Sequence, residues 1–175
     1  RDCVMNEFSI DILNSAGTVI APGPLTTVQT LEDTKRLDAI GQLIFTLPAS
    51  DPRTQYLTAG TQFQVYDRID GYIGKFYYRT KTLQADAVGG AQVRVEAHDQ
   101  LIELAHKSVN FRRTYNAVAV ETVVASLVTV VAGWSATVDA SIGTTTVTYE
   151  RESVLAALDV LRDRWNKHYR LNSES

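Results

Sequence analysis

Hydrophobic and polar residues alternate through the first half of the chain, a pattern typical of half-buried β-strands. The segment 41–78 is its clearest part, because it contains three such runs and both of their connections. The first run ends at Pro48, which has no N–H to donate to a neighbouring strand. Asp70-Gly71 separates the other two runs and favours a tight hairpin turn. We therefore predict three strands, the last two being antiparallel neighbours. Their apolar positions are Leu43, Phe45, Leu47, Phe63, Val65, Tyr66, Ile73, Phe76, Tyr77 and Tyr78.

The loop 49–60 has a turn signal at each end, and we expect Tyr56 and Leu57 to anchor it in the core. Gly89-Gly90 predicts a second hairpin turn. Further strands are predicted at 8–13, 18–21, 28–36, 80–86 and 92–97. Together these elements predict an antiparallel β-barrel or β-sandwich.

The hydrophobic period changes to a helical one in the second half of the chain. A short helical turn is predicted at 99–105, and a longer helix is predicted from the N-cap Asn116 through Ala132, with Gly133 ending it. The many valines leave a strand possible there, because β-branching lowers helix propensity. A β-rich run at 144–149 then precedes a second main helix, which Ser153 or a neighbouring residue is expected to cap. The sequence thus predicts an α+β protein, with a β domain at 1–112 and a small α+β subdomain at 113–175.

Composition narrows the function classes. The chain has 175 residues, 45% hydrophobic and 21% charged, which is typical of a globular domain. A net charge of −3 disfavours coating nucleic acid as the main activity, although Arg112 and Arg113 leave room for a local basic patch. Cys3 is the only cysteine, so no internal disulfide or paired-thiolate metal site is expected. The most apolar segment, 117–132, is too short to cross a bilayer, and we find no signal peptide.

The candidates for chemistry all have simpler structural explanations. His98, His106 and His168 lack the spacing of a zinc site, and His98 and Asp99 are strand neighbours that face opposite sides. Asp67 and Asp70 raise the question of a glycosidase, but turn chemistry accounts for Asp70. Nucleophile-elbow, phosphate-loop and dinucleotide motifs are absent from the sequence. We therefore predict no catalytic, cofactor or metal site and expect a protein that is not an enzyme.

An aromatic cluster formed by Tyr72, Phe76, Tyr77 and Tyr78 is the remaining candidate for ligand binding. Exposed aromatic side chains can stack on sugars or bases. Alternation places Phe76 and Tyr78 on one face and Tyr77 on the other, so part of the cluster must be core. Core packing is therefore favoured over a binding platform.

The order of these elements resembles the N-terminal region of bacteriophage tail-associated, or baseplate hub, proteins. The resemblance covers roughly residues 8–171 and rests on strand ends, turns and helix faces. The residues that carry it are Gly41-x-Leu-x-Phe-Thr-Leu-Pro48, Asp51-Pro52, Leu57, Gly60, Val65-Tyr66-Asp67, Gly71-x-x-Gly74, Glu96-Ala-His-Asp99-Gln-Leu-x-x-Leu104, Gly133-Trp134 and Ser153-Val-Leu-x-Ala-Leu158-x-x-Leu161.

The resemblance implies a structural component of the virion tail tip, assembled in the host cytoplasm. Hub proteins are typically homotrimeric rings that continue the tail tube. They contact the distal tail or tube protein on one side and fibres or tip proteins on the other, while tape measure and DNA pass through the lumen. The family places hydrolase activity in separate C-terminal domains, so no catalytic residue is carried over, and we expect a longer natural chain without membrane insertion by this segment. A net negative charge suits a conduit for DNA.

Three alternatives stay open. The first is a carbohydrate-binding module that uses the aromatic cluster and the loop 49–60. The second is a hydrolase that depends on Asp67. The third is another tail position, the hexameric distal tail protein.

Overall fold

The computed structural model describes residues 8–69, 71–85, 90–109 and 111–171, without the side chain of residue 140. Within these ranges the chain forms two compact units. The first comprises residues 8–36 and 40–100, and the second comprises 37–39 and 101–171. The division between residues 100 and 101 precedes the boundary at 112 that the sequence predicts.

The first unit contains one antiparallel sheet of six strands. The strands are β1 (Phe8–Leu13), β2 (Thr30–Thr34), β3 (Gln42–Pro48), β4 (Gln62–Asp67), β5 (Gly71–Ala85) and β6 (Ala91–Asp99). Their order across the sheet is β1-β4-β5-β6-β3-β2. The alternation in β3 is confirmed, because Leu43, Phe45 and Leu47 are fully buried whereas Ile44 and Thr46 remain partly exposed.

The sheet curves strongly around its own core. β3 and β4 are separated by two other strands, so their side chains would lie about 14 Å apart in a flat sheet with strands about 4.8 Å apart. Instead, the rings of Phe45 and Phe63 meet edge to face with their centroids 5.4 Å apart. The concave face therefore packs against itself and needs no second sheet.

The expected barrel is not closed. β1 and β2 are the two end strands, and within the described residues no ladder joins them. Two side chains from connecting segments, Leu25 and Leu57, are fully buried in the same core as the strands. These loop residues supply apolar cover that a closed ring of strands would otherwise provide, so the α+β class is confirmed and the closed barrel is wrong.

Two of the predicted connections differ from the structure. The strands expected on each side of residue 79 are one strand, β5, whose register shifts between Tyr78 and Thr80. A bulge lets one strand bend without ending. The strand expected at 18–21 is reduced to a bridge between Leu13 and Val19. Asp70 and Gly89, one residue from each predicted hairpin turn, lie outside the described residues, as does Cys3.

The loop 49–60 is ordered by a buried carboxylate. Asp51 begins a 3₁₀ turn at Pro52–Tyr56, and its side chain accepts a hydrogen bond from the backbone N–H of Arg53. Leu57 is fully buried and Tyr56 packs against the core. Both predicted anchors are confirmed.

The second unit combines a two-stranded sheet with three helices. The strands are β7 (Arg112–Ala119) and β8 (Thr144–Glu150), and the helices are α1 (Leu101–His106), α2 (Val120–Val128) and α3 (Val154–Trp165). Ser153 caps α3 by accepting a hydrogen bond from the N–H of Ala156 at 3.1 Å, as predicted. No helix within the described ranges is long and apolar enough to cross a membrane.

The helix expected from Asn116 to Ala132 is present but shorter, and both of its predicted ends are wrong. Asn116 lies in β7, and the helix begins only at Val120 because Val118 and Ala119 pair with β8. At the other end the helix stops at Val128, before a turn in which Gly133 has a φ of +84°. The β-branched residues of this segment are therefore divided between a strand and a short helix.

Candidate functional site

A continuous exposed stretch of β5 is the leading candidate for an interaction surface. Residues 79–85 are all exposed, and we call them the β5 arm. β6 pairs with one edge of the arm. Along its other edge the described residues provide no strand, because the pairing of β4 with β5 reaches only Gln62 opposite Tyr77. The arm therefore presents open backbone donors and acceptors on one side.

Leu83 adds an apolar side chain to this open edge. It lies directly opposite Val93 of β6, so the two side chains share a face of the sheet. Val93 is buried in the core, whereas Leu83 is 69% exposed. The apolar face of the first unit thus continues onto the arm. An open strand edge beside an exposed apolar side chain is the combination used when another strand is added to a sheet.

Polar contacts hold the arm in place. The Nζ of Lys81 donates to the backbone oxygen of Thr54 at 3.2 Å. Arg79 lies 3.6 Å from the carboxylate of Glu96, which also pairs with Arg94. The Arg79 side chain is 54% exposed and lies 3.6 Å from Glu96, so this ion pair contributes little to stability. The arm is therefore positioned by its ladder with β6 more than by ion pairs.

His98 and Asp99, the adjacent pair at the end of β6, have different environments. Asp99 is buried, and its Oδ2 accepts a hydrogen bond of 2.7 Å from the N–H of Gly41. His98 is half-buried opposite Tyr77. Burial, with help from the nearby Arg79 guanidinium, holds the pKa of His98 below its ordinary value. The Asp99 carboxylate therefore holds Gly41, the residue directly before β3, and not His98.

The other two histidines lie in the second unit. His106 is exposed at the end of α1. His168 is hydrogen-bonded through Nδ1 to the carboxylate of Asp38, which also accepts a bond of 2.7 Å from the N–H of Tyr169. Among the residues that the structure describes, no group of three or more His, Cys, Asp or Glu side chains is placed to hold a metal ion.

Asp67 has a turn-forming role. Its Oδ1 accepts a hydrogen bond from the N–H of Ile69, two residues further on. Such a bond closes a local turn at the end of β4. Asp70, the proposed second carboxylate, lies outside the described residues. Ile69 is 87% exposed at this tip.

The aromatic cluster of β5 is divided among different environments. Phe76 is buried in the core and Tyr78 packs against it, as the alternation predicts. Tyr77 lies on the opposite face of the strand. The ring of Tyr72 contacts that of Tyr66, with centroids 5.6 Å apart and planes inclined at 58°. These rings do not form one continuous stacking platform.

Arg112 and Arg113 are also separated. Arg113 donates to the hydroxyl of Ser126 at 3.1 Å and to its backbone oxygen at 3.2 Å. Arg112 lies 3.3 Å from the carboxylate of Glu150, and both side chains are largely exposed. Arg112 also lines a concavity of about 440 Å³ together with Phe111, Glu150 and Arg151. The two arginines therefore do not make the basic patch that their adjacency allows.

Sequence reasoning missed the β5 arm and the concavity. The signal for the arm was the run from Thr80 to Gln84, which is polar except for Leu83 and therefore cannot be covered on both faces. The concavity had no comparable signal, because Phe111 and Arg151 are far apart in the chain.

Known proteins match this chain in structure and not in sequence. No protein-family model matches it, and no curated protein matches it. A solved structure that does match is the tail protein from Neisseria meningitidis MC58, with a TM-score of 0.53 and 12% sequence identity. The match covers 95% of this chain and 48% of that chain. The chain shares the fold of a tail protein.

At this level of identity the likeness concerns the fold. It extends over nearly the whole chain, so both compact units take part in it. The chain spans about half the length of the Neisseria protein. The remaining half of that protein has no counterpart in the segment described above.

Proposed function

We propose that this chain is a structural component of a bacteriophage tail tip, a hub protein that forms a ring continuing the tail tube. The observation that carries the proposal is the fold shared with a tail protein across 95% of the chain. The order of strand ends, turns and helix faces supports it independently through the resemblance to hub proteins.

The β5 arm is the surface proposed to meet a neighbouring copy. Its open edge can accept a strand, and the exposed Leu83 gives the contact an apolar anchor. Full burial of a leucine side chain contributes about 1.5–3 kcal/mol, which corresponds to roughly 10- to 160-fold in each association constant.

The partners follow from this position. A homotrimeric ring would contact a distal tail or tube protein on one side and fibre or tip proteins on the other, with tape measure and DNA in its lumen. The role is that of a scaffold in the virion tail tip, assembled in the host cytoplasm, without catalysis or a cofactor. The net charge of −3 is compatible with DNA passing without adhering.

Electron microscopy and native mass spectrometry of the purified protein test the proposal. We expect closed rings of three copies; six copies would favour the distal tail position instead. Leu83→Lys should abolish or strongly weaken assembly. The control Gln84→Lys introduces the same charged side chain on the opposite face of the arm and should leave assembly intact.

A protein that stays monomeric at high concentration would contradict the ring. If that monomer also bound glycans on an array, the carbohydrate-binding alternative would replace it. Turnover of a cell-wall substrate that is lost in Asp67→Asn would instead support a hydrolase.

A further inference from the structure

One end of the two-stranded sheet in the second unit carries a small surface that the proposed ring does not use. Phe111 and Arg151 flank the paired residues Arg112 and Glu150, and these four residues line the concavity of about 440 Å³. We call them the 111–151 rim. Phe111 is 78% exposed, so its ring contributes little to the packing of the unit.

The backbone of the rim is strained at both flanking positions. Phe111 and Arg151 each have a φ of +64°, in the left-handed region that bulky residues rarely adopt. Ala117, within β7, also has a positive φ, but its N–H donates to Thr146 Oγ1 at 3.0 Å within a register shift of that strand. Strain held by exposed, bulky side chains is characteristic of functional surfaces.

The charges of the rim are unequal. Arg112 pairs with Glu150 at 3.3 Å, and these two charges offset each other. Arg151 makes no ion pair within the described part of the chain. Arg151 and the exposed Phe111 therefore line the same concavity, and the Arg151 guanidinium has no ion-pair partner among the described residues. A guanidinium forms strong two-pronged hydrogen bonds with a carboxylate.

We infer that the 111–151 rim binds a peptide segment of a partner protein that presents a carboxylate next to an apolar side chain. Arg151 would bind the carboxylate and Phe111 would contact the apolar group. Nucleic acid is disfavoured, because a single uncompensated cation neutralises few phosphates and Glu150 would repel them. The inference does not depend on ring assembly.

Titration of isotope-labelled protein with N-acetylated leucyl-phenylalanine, followed by NMR, tests this directly. The free acid should shift the amide signals of Phe111 and Arg151 in a saturable way, and the C-terminal amide of the same peptide should bind at least about fivefold more weakly. Arg151→Gln should remove that difference, while Arg36→Gln, at an exposed arginine outside the rim, serves as the matched control. No saturable shift, or equal binding of acid and amide, would overturn the inference.

Glycine variants separate binding from a structural role. Phe111→Gly and Arg151→Gly relieve the positive φ, so each should keep or raise the thermal midpoint while it abolishes the peptide-induced shifts. A lowered midpoint in both variants would mean that the side chains stabilise the fold instead. Tighter binding of a single-stranded oligonucleotide than of the peptide would reject the assigned partner class.

Discussion

Replacing Gly41 by alanine should destabilise the first unit far more than the same change at Gly74. Both glycines are buried and neither has a positive φ, so the two substitutions differ only in their surroundings. A Cβ on Gly41 would lie 2.5 Å from Asp99 Oδ2 and 2.9 Å from the backbone oxygen of Thr34. A Cβ on Gly74 would meet only the ring of Phe76, at 3.4 Å.

The loss of unfolding free energy depends on which groups the added methyl group would displace. Relief at Gly41 displaces the Asp99 carboxylate and breaks its 2.7 Å bond from the Gly41 N–H, a charge-assisted bond worth about 1.5–3 kcal/mol. The second clash is with backbone, which adds about 1–3 kcal/mol of overpacking. The reduced entropy of the unfolded chain returns about 0.4–1 kcal/mol. We expect a net loss of about 2–5 kcal/mol for Gly41→Ala and a change within about 1 kcal/mol for Gly74→Ala.

The assay has to report on the first unit. Both tryptophans, Trp134 and Trp165, lie in the second unit, so far-UV circular dichroism and calorimetry are the suitable probes. For a chain of this length each kcal/mol lowers the midpoint by about 2–4 °C. A loss below about 1 kcal/mol for Gly41→Ala, or equal losses for the two variants, would refute the reasoning.

Two further predictions concern buried polar groups. Tyr115→Phe removes a 2.9 Å hydrogen bond to Ser126 and should lower the free energy of unfolding, measured by chemical denaturation, by about 1 kcal/mol. Tyr149→Phe should lower it less or raise it, because the buried Tyr149 hydroxyl has no partner within the described residues. A larger loss for Tyr149→Phe than for Tyr115→Phe would contradict this. Asp51→Asn should lower the free energy of unfolding at neutral pH by about 2 kcal/mol, because the bonds from Arg53 hold the pKa of the Asp51 carboxyl well below its usual range. Because this pKa is lower in the folded state, its stabilising contribution is fully present above the unfolded value of about 3.9 and is lost as the pH falls below it. The difference in unfolding free energy between wild type and variant should therefore narrow as the pH falls from about 5 to 2. A difference that stays constant over this range would contradict the assignment.

The strands of the first unit were predictable because one face of each is buried. Leu43, Phe45 and Leu47 repeat every second residue, and a shift by one would expose all three. Closure was not predictable in the same way. It depends on how far six strands curl and on loop residues such as Leu25, which the alternation does not include.

The prediction for residues 112–132 was wrong for a different reason. Its valines satisfy a helical period and a strand propensity at once, so local pattern cannot choose between them. Pairing with β8 decides the first part, and that partner lies beyond residue 143. Ser153, by contrast, was predictable because its hydrogen bond to Ala156 is local.

The same distinction applies to the candidate surfaces. The segment 41–78 predicted its own strands, but the tight approach of Gly41 to Asp99 joins the start of β3 to the end of its neighbour β6, which lies outside that segment. The β5 arm begins where that segment ends, and its exposure arises because β4 stops pairing at Tyr77 while β5 continues to Ala85. The length of a strand is local, but whether its edge is covered depends on its neighbours. The polar run 80–84 signals that the β5 arm is exposed, but whether one edge of the arm lacks a partner strand among the described residues is visible only in the folded sheet.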